Sequence, residues 1–160
     1  MFRLLRGKTT TISILALALP YALAEDGADV TIRVGHEGPQ AYLVEHVDGA
    51  EDLSELNVEN APWTLRVGLR YRIVNPAATA HPLLLRGGST VLLAQQGFGS
   101  FADDPEVAFK FDDRSLTFTL TRSLARELDN YLCAYHPTMT GPIVVTEVPA
   151  PPNGESEPHQ

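Results

Sequence analysis

The segment between Tyr131 and Val145 constrains the fold more than any other part of this 160-residue chain. It contains the only cysteine, Cys133, followed three residues later by His136 and three residues after that by Met139. A thiolate, an imidazole and a thioether suit copper better than a hard cation, and their usual arrangement is a trigonal His₂Cys site with a weak axial methionine. The chain must therefore fold so that a second imidazole reaches this segment.

Three upstream histidines could supply that imidazole. His81 is our preferred candidate, and His36 and His46 compete with it. A strongly apolar run at residues 82–86 follows His81 directly and is typical of a central sheet strand. A lone cysteine, histidine or methionine is usually structural, but the three in ligand order before an apolar strand favour a metal site.

The first 24 residues have the features of a secretory signal peptide. A basic start with Arg3, Arg6 and Lys8 precedes an apolar run that ends in Ala-Leu-Ala at 22–24, a typical cleavage motif. We therefore expect export to the periplasm, the extracellular space or the cell surface, with no stable membrane insertion after cleavage. The alternative is an uncleaved anchor, but the run is short for a span of about 20 residues.

Cleavage would leave an acidic protein with a single thiol. Residues 25–160 carry nine basic and twenty acidic side chains, a net charge of −11 with histidine neutral, which argues against nucleic acid or anionic lipid as a partner. A single cysteine cannot form an internal disulfide, and a free thiol is a liability in an oxidising compartment unless a metal occupies it. We expect one domain at residues 25–148 and a disordered, proline-rich tail at residues 149–160.

Short runs of alternating apolar and polar residues recur along the domain. Examples are Val30 to Val34 and Trp63 to Val67, with turn residues between the runs. Thr121 is predicted to cap one short helix that ends near Leu128. About eight strands and little helix predict an all-β fold of the sandwich type.

The pattern Cys-x₂-His-x₂-Met, followed by Gly141 and a β-branched strand, resembles the copper loop of the cupredoxins, the blue copper proteins. Its short spacing and the His136-Pro137 pair are most similar to the amicyanin branch of the amicyanin and plastocyanin group, whereas longer-loop relatives such as plastocyanin place more residues between the histidine and the methionine. The resemblance covers residues 30–147 and extends upstream to His81. It implies a Greek-key β-sandwich with one type 1 copper at one end, bound by the four residues His81, Cys133, His136 and Met139.

The same resemblance implies a function. It predicts a one-electron carrier without catalytic residues, acting as a monomer on a redox protein partner such as a cytochrome or an oxidoreductase. His136 would be the ligand on the solvent side, and Pro137 and Leu83 would contribute to a small docking patch beside it.

One residue departs from the family pattern. In many cupredoxins the residue after the first histidine ligand donates its backbone N–H to the cysteine sulfur. Here that residue is Pro82, which has no N–H. The N–H of Tyr135 is the alternative donor that the sequence offers.

Other functions are possible on the same residues. A copper delivery or storage protein would bind Cu(I) exchangeably, and a copper-free sandwich would serve only as an interaction module. Cysteine–histidine catalysis needs a third, orienting group. A haem attachment motif and the extra cysteines of a two-copper centre are absent from the sequence.

Overall fold

The computed structural model describes residues 27–147. The predicted signal peptide and the predicted disordered tail lie outside these residues. Within the described part of the chain, no helix is both long and apolar enough to span a membrane.

Between residues 27 and 147, ten strands and one short helix follow one another. The strands are β1 (Val30–Glu37), β2 (Ala41–Asp48), β3 (Trp63–Arg66), β4 (Arg70–Val74), β5 (Leu83–Gly87), β6 (Thr90–Ala94), β7 (Lys110–Phe111), β8 (Ser115–Thr119), β9 (Asn130–Cys133) and β10 (Thr140–Thr146). The helix α1 spans Arg122–Glu127. The predicted all-β class is therefore confirmed.

The strands form two five-stranded sheets. Sheet I has the order β2-β1-β4-β8-β7, and sheet II has the order β3-β10-β9-β5-β6. The pairs β1–β4 and β3–β10 are parallel, whereas the other pairs are antiparallel. Neighbours that are not consecutive in the chain require connections that cross between the sheets, as the predicted Greek-key sandwich does.

Alternation of apolar and polar residues decides which side chains fill the space between the sheets. In β3, Trp63 and Leu65 are fully buried while Thr64 is only half-buried. The indole of Trp63 stacks on the ring of Tyr131 in β9 with 4.2 Å between ring centroids. This contact packs the interior side of the strand that leads to Cys133, so the apolar core supports the metal-binding end.

Thr121 caps α1 as predicted. Its side-chain oxygen accepts a hydrogen bond from the Leu124 N–H at 3.2 Å, and Leu128 closes the helix by donating to the Leu124 carbonyl. Leu124 is fully buried. The predicted position and length of the helix are confirmed.

Residues 27–147 form ten strands where about eight were expected. One detail of the predicted strands is wrong, because the strand expected at residues 107–111 is reduced to Lys110–Phe111. Ala108 adopts a positive φ of 47° and donates its N–H to the Asp104 carbonyl, so the chain turns where an alternating pattern had predicted an extended strand. Val107 is buried in the core from this turn.

Candidate metal centre

The loop at residues 134–139 joins β9 to β10 and is closed by its own backbone. The Cys133 N–H donates to the Met139 carbonyl at 2.9 Å, and the Met139 N–H donates to the His136 carbonyl at 3.0 Å. The three predicted ligands of this segment are thus linked to one another by main-chain hydrogen bonds. These hydrogen bonds restrict the relative positions of the three residues.

A glycine allows the loop to lie against the rest of the sandwich. A side chain on Gly141 would overlap the Tyr131 hydroxyl, which donates to the Ala61 carbonyl at 2.8 Å. Asn60 lies on the other side and donates from its amide to the Thr138 carbonyl at 3.1 Å. The glycine predicted to follow the copper loop therefore has a steric role.

His81 reaches the loop from the connection between β4 and β5. Its N–H donates to the Ala77 carbonyl at 2.8 Å, which holds it in a turn at the metal-binding end of the sandwich. The next residue, Pro82, accepts a hydrogen bond at 2.9 Å from the Ala134 N–H, directly after Cys133. Because β5 and β9 are adjacent strands, the sheet itself brings His81 beside Cys133.

Three ligand atoms converge at this end of the sandwich. The Nδ1 atoms of His81 and His136 are 3.1 Å apart, and the Cys133 Sγ lies 3.9 Å and 3.6 Å from them, respectively. A trigonal metal with bonds of about 2.0 Å to nitrogen and about 2.3 Å to sulfur separates its ligand atoms by about 3.5–3.7 Å. The triangle of Sγ and two Nδ1 atoms therefore fits a metal that prefers a His₂Cys plane.

A hydrogen bond between the two rings is the other interpretation of the short Nδ1–Nδ1 distance. It would require one ring to carry its proton on Nδ1 and the other to accept it. That interpretation explains neither why both nitrogens face the one thiol of the chain nor why Cys133 is almost completely buried beside them.

Met139 and the competing histidines occupy distinct places. Met139 is fully buried and linked to Cys133 and His136 through its backbone, while its sulfur as an axial ligand stays a prediction. The His36 ring packs at a tilt of 39° against the His81 ring, with 4.4 Å between centroids, but His36 does not belong to the group of converging ligand atoms. His46 is exposed and pairs with Asp48 at 3.1 Å. Of the three upstream histidines, the structure brings His81 into the group.

Burial differs between the two histidines of the group. His81 is 7% exposed, whereas His136 is half-buried and followed by the exposed Pro137. Burial lowers the pKa of His81, and the positive charges of protonated His36 and His136 lower it further. The His81 ring is therefore kept neutral, as a metal ligand must be.

This pKa shift predicts how the metal-free protein responds to acid. The unfolded chain binds a proton at His81 more readily than the folded protein does. The contribution of neutral His81 to the free energy of unfolding is therefore present at higher pH and is lost as the pH falls below about 6.5. We expect a lower urea midpoint at about pH 5 than at about pH 7.5. The His81→Gln variant should lose part of this difference, and the exposed His46→Gln variant should retain it. An identical pH dependence in wild type and His81→Gln would contradict the prediction.

Two expectations about the surroundings of the sulfur and the surface are wrong. Among residues 27–147, no backbone N–H, including that of Tyr135, donates to the Cys133 sulfur. Leu83 is fully buried in β5 and cannot form part of a docking patch. The exposed apolar side chains near His136 are instead those of Pro137 and Tyr135, the latter 61% exposed.

Three residues that contact the His81 region were missed by sequence reasoning. The Tyr42 hydroxyl and the Asn75 amide both donate to the His81 carbonyl, at 2.6 Å and 2.8 Å. The side-chain oxygen of Gln95 accepts from Asn75. Tyr42 fits an alternating core pattern, and the other two lie beside turns, so nothing in the sequence distinguishes them.

Comparisons with known proteins found similarity only among solved structures. No protein-family model matches the sequence, and no curated protein matches it. Among solved structures, the chain is similar to the reduced form of a tryptophan-to-tyrosine variant of amicyanin. The sequence identity is 17%, the TM-score is 0.30, and the match covers 61% of this chain and 86% of that one.

The candidate metal centre lies at one end of the two-sheet fold. Two five-stranded sheets enclose one core, and one end of the sandwich gathers a thiol and two imidazole Nδ1 atoms from β9, its loop and the β4–β5 connection. A buried methionine completes the loop. This is the arrangement that the resemblance implied from the sequence. The described residues therefore form a two-sheet β-sandwich with a candidate metal centre of one thiol and two imidazoles at one end.

Proposed function

We propose that the protein binds one copper ion through His81, Cys133, His136 and Met139 and carries single electrons between redox protein partners in an exported compartment. The observation that carries this proposal is the triangle formed by the Cys133 Sγ and the two histidine Nδ1 atoms. Bound copper would supply the Cu(II)/Cu(I) couple. The protein's part is to hold the ligands so that both oxidation states share one geometry.

The backbone around the site supports this role. Main-chain hydrogen bonds join Cys133, His136 and Met139, and a further one joins Pro82 to Ala134. Cu(I) and Cu(II) prefer different geometries, and ligands that are fixed in this way resist a change from one geometry to the other. Little reorganisation is needed when an electron arrives or leaves, which favours fast transfer over copper release.

Burial of the ligands weighs against copper delivery. Cys133 is 1% exposed, Met139 is fully buried and His81 is 7% exposed, so a copper acceptor could approach only the half-buried His136. Ligand exchange between proteins needs more access than this. Electron transfer needs only close approach, and the same edge with the exposed Pro137 and Tyr135 would be where the redox partner docks.

Two measurements on the purified protein test the proposal. Copper loading should give one copper per chain and an intense visible band, and voltammetry should then show a reversible one-electron couple. A loaded protein whose couple is irreversible and whose Cu(I) passes readily to a chelator would be a delivery protein. A protein that stays colourless with stoichiometric Cu(II) would refute the copper site itself and leave the interaction module.

A further inference from the structure

A network of buried polar side chains surrounds the backbone of His81. Among the described residues five polar side chains are buried, and three of them, His81, Asn75 and Gln95, belong to this network. Tyr42, which is 1% exposed, is the fourth member. Polar groups are costly to bury unless each one is hydrogen-bonded, so their concentration at one point of an otherwise apolar core requires an explanation.

The network acts on a single carbonyl group. The His81 carbonyl oxygen accepts from the Tyr42 hydroxyl at 2.6 Å and from the Asn75 side-chain amide at 2.8 Å. Gln95 links Asn75 to the backbone after Pro82. Its Oε1 accepts from the Asn75 side-chain amide at 2.9 Å and from the Leu83 N–H at 3.2 Å. Hydrogen bonds thus hold the His81 carbonyl and the Leu83 N–H, the groups on either side of Pro82. Pro82 itself has no N–H and cannot donate a backbone hydrogen bond.

The network also joins the two sheets. Tyr42 lies in β2 and Asn75 directly follows β4, both in sheet I, whereas Gln95 directly follows β6 in sheet II. Cys133 lies at the end of β9 in sheet II. Fixing the His81 backbone to both sheets therefore fixes the distance between the His81 ring and the cysteine sulfur.

Gln95 keeps its orientation at a cost. Its Oε1 must face the two N–H donors, and the Nε2 is consequently left buried without a hydrogen-bond partner. Turning the amide over would place an N–H group against two other N–H groups. The two hydrogen bonds accepted by Oε1 therefore set the orientation of the Gln95 amide.

We propose that Tyr42, Asn75 and Gln95 are positioning residues that fix the His81 backbone, and through it the His81 ring, beside Cys133. This inference rests on the proposed copper binding but not on electron transfer.

The test compares Tyr42→Phe with a matched control. Tyr71→Phe removes a hydroxyl that also bonds to the main chain, accepting from the Arg66 N–H at 2.7 Å, but at the opposite end of β4 from Asn75. Both variants are loaded with copper, and its release to an excess of a strong chelator is timed. Loss of one buried hydrogen bond corresponds to a rate change of about five-fold. We expect that acceleration in Tyr42→Phe, with a broadened copper EPR spectrum, and a wild-type rate and spectrum in Tyr71→Phe.

A second variant guards against a fold defect. Gln95→Met retains side-chain length and removes the acceptor, so the Leu83 N–H loses its partner. Amide hydrogen exchange at Leu83 in the metal-free protein should accelerate, and copper release should accelerate as in Tyr42→Phe. The proposal is overturned if Tyr42→Phe and Gln95→Met release copper like wild type, or if Tyr71→Phe changes the copper spectrum as much as they do. Because neither readout needs redox cycling, an irreversible voltammogram would count against electron transfer and leave this test intact.

Discussion

Replacing Cys133 with serine is expected to abolish the intense visible band of the copper-loaded protein. The band requires charge transfer from a thiolate to Cu(II), and Cys133 is the only cysteine of the chain. A serine hydroxyl is a poor ligand for copper and stays protonated at neutral pH. We expect copper affinity to fall by more than about 100-fold, because changing merely an outer-shell partner of a metal ligand already costs 10- to 100-fold.

The same substitution should leave the sandwich folded. Cys133 is 1% exposed and ends β9, and serine differs from it by one atom. Burying the hydroxyl is expected to lower the free energy of unfolding of the metal-free protein by about 1–3 kcal/mol. Visible absorption, copper stoichiometry and a thermal melt of the metal-free form check these statements together. A Cys133→Ser protein that keeps the band, or a wild type that never shows it, would refute thiolate ligation.

The grouping of the three candidate ligands around the loop could be predicted because they are close in sequence. Cys133, His136 and Met139 occupy a single short connection, so any fold that forms a loop there brings them together. The helix cap at Thr121 was predictable for the same reason, since its partner Leu124 lies three residues away. Local patterns such as these do not depend on how distant parts of the chain meet.

Contacts between distant residues were only partly predictable. His81 could not be separated from His36 by sequence spacing, and in the structure their rings are in contact. The choice between them depends on the pairing of β5 with β9, which places the residues after His81 opposite Cys133. The hydrogen bond from Tyr42 to His81 spans 39 positions and leaves no periodic signature in the sequence.

The prediction of a strand at residues 107–111 was wrong for a related reason. Alternation there predicted a strand, but the chain instead turns at Ala108, and the Val107 carbonyl accepts a hydrogen bond from the Thr119 N–H of β8. Of the three alternating apolar residues, only Val107 is fully buried, whereas Phe109 is half-buried and Phe111 is 53% exposed. Alternation alone therefore predicted neither the backbone conformation nor the burial of this segment, because both depend on how the turn at Ala108 meets the rest of the sandwich.

Replacing His81 with glycine is expected to open one position in the copper plane that free imidazole can fill. The substitution removes the Nδ1 ligand but leaves the main-chain carbonyl, so the hydrogen bonds from Tyr42 and Asn75 can still form and should keep the space open. Without imidazole, the visible band should be weaker and shifted. With imidazole, both the band and the EPR spectrum should return toward those of wild type, because the added ring restores the His₂Cys donor set.

The neighbouring His36 makes a control necessary. Its ring lies 4.4 Å from the His81 ring, so in His81→Gly it is the histidine best placed to enter the vacated position. Comparing His81→Gly with the double variant His36→Ala/His81→Gly separates rescue by His36 from rescue by free imidazole. His36→Ala and His46→Ala alone should leave the visible band nearly unchanged, since neither ring belongs to the converging group. If His46→Ala abolished the band, or if imidazole restored nothing in either glycine variant, His81 would not be the second imidazole ligand.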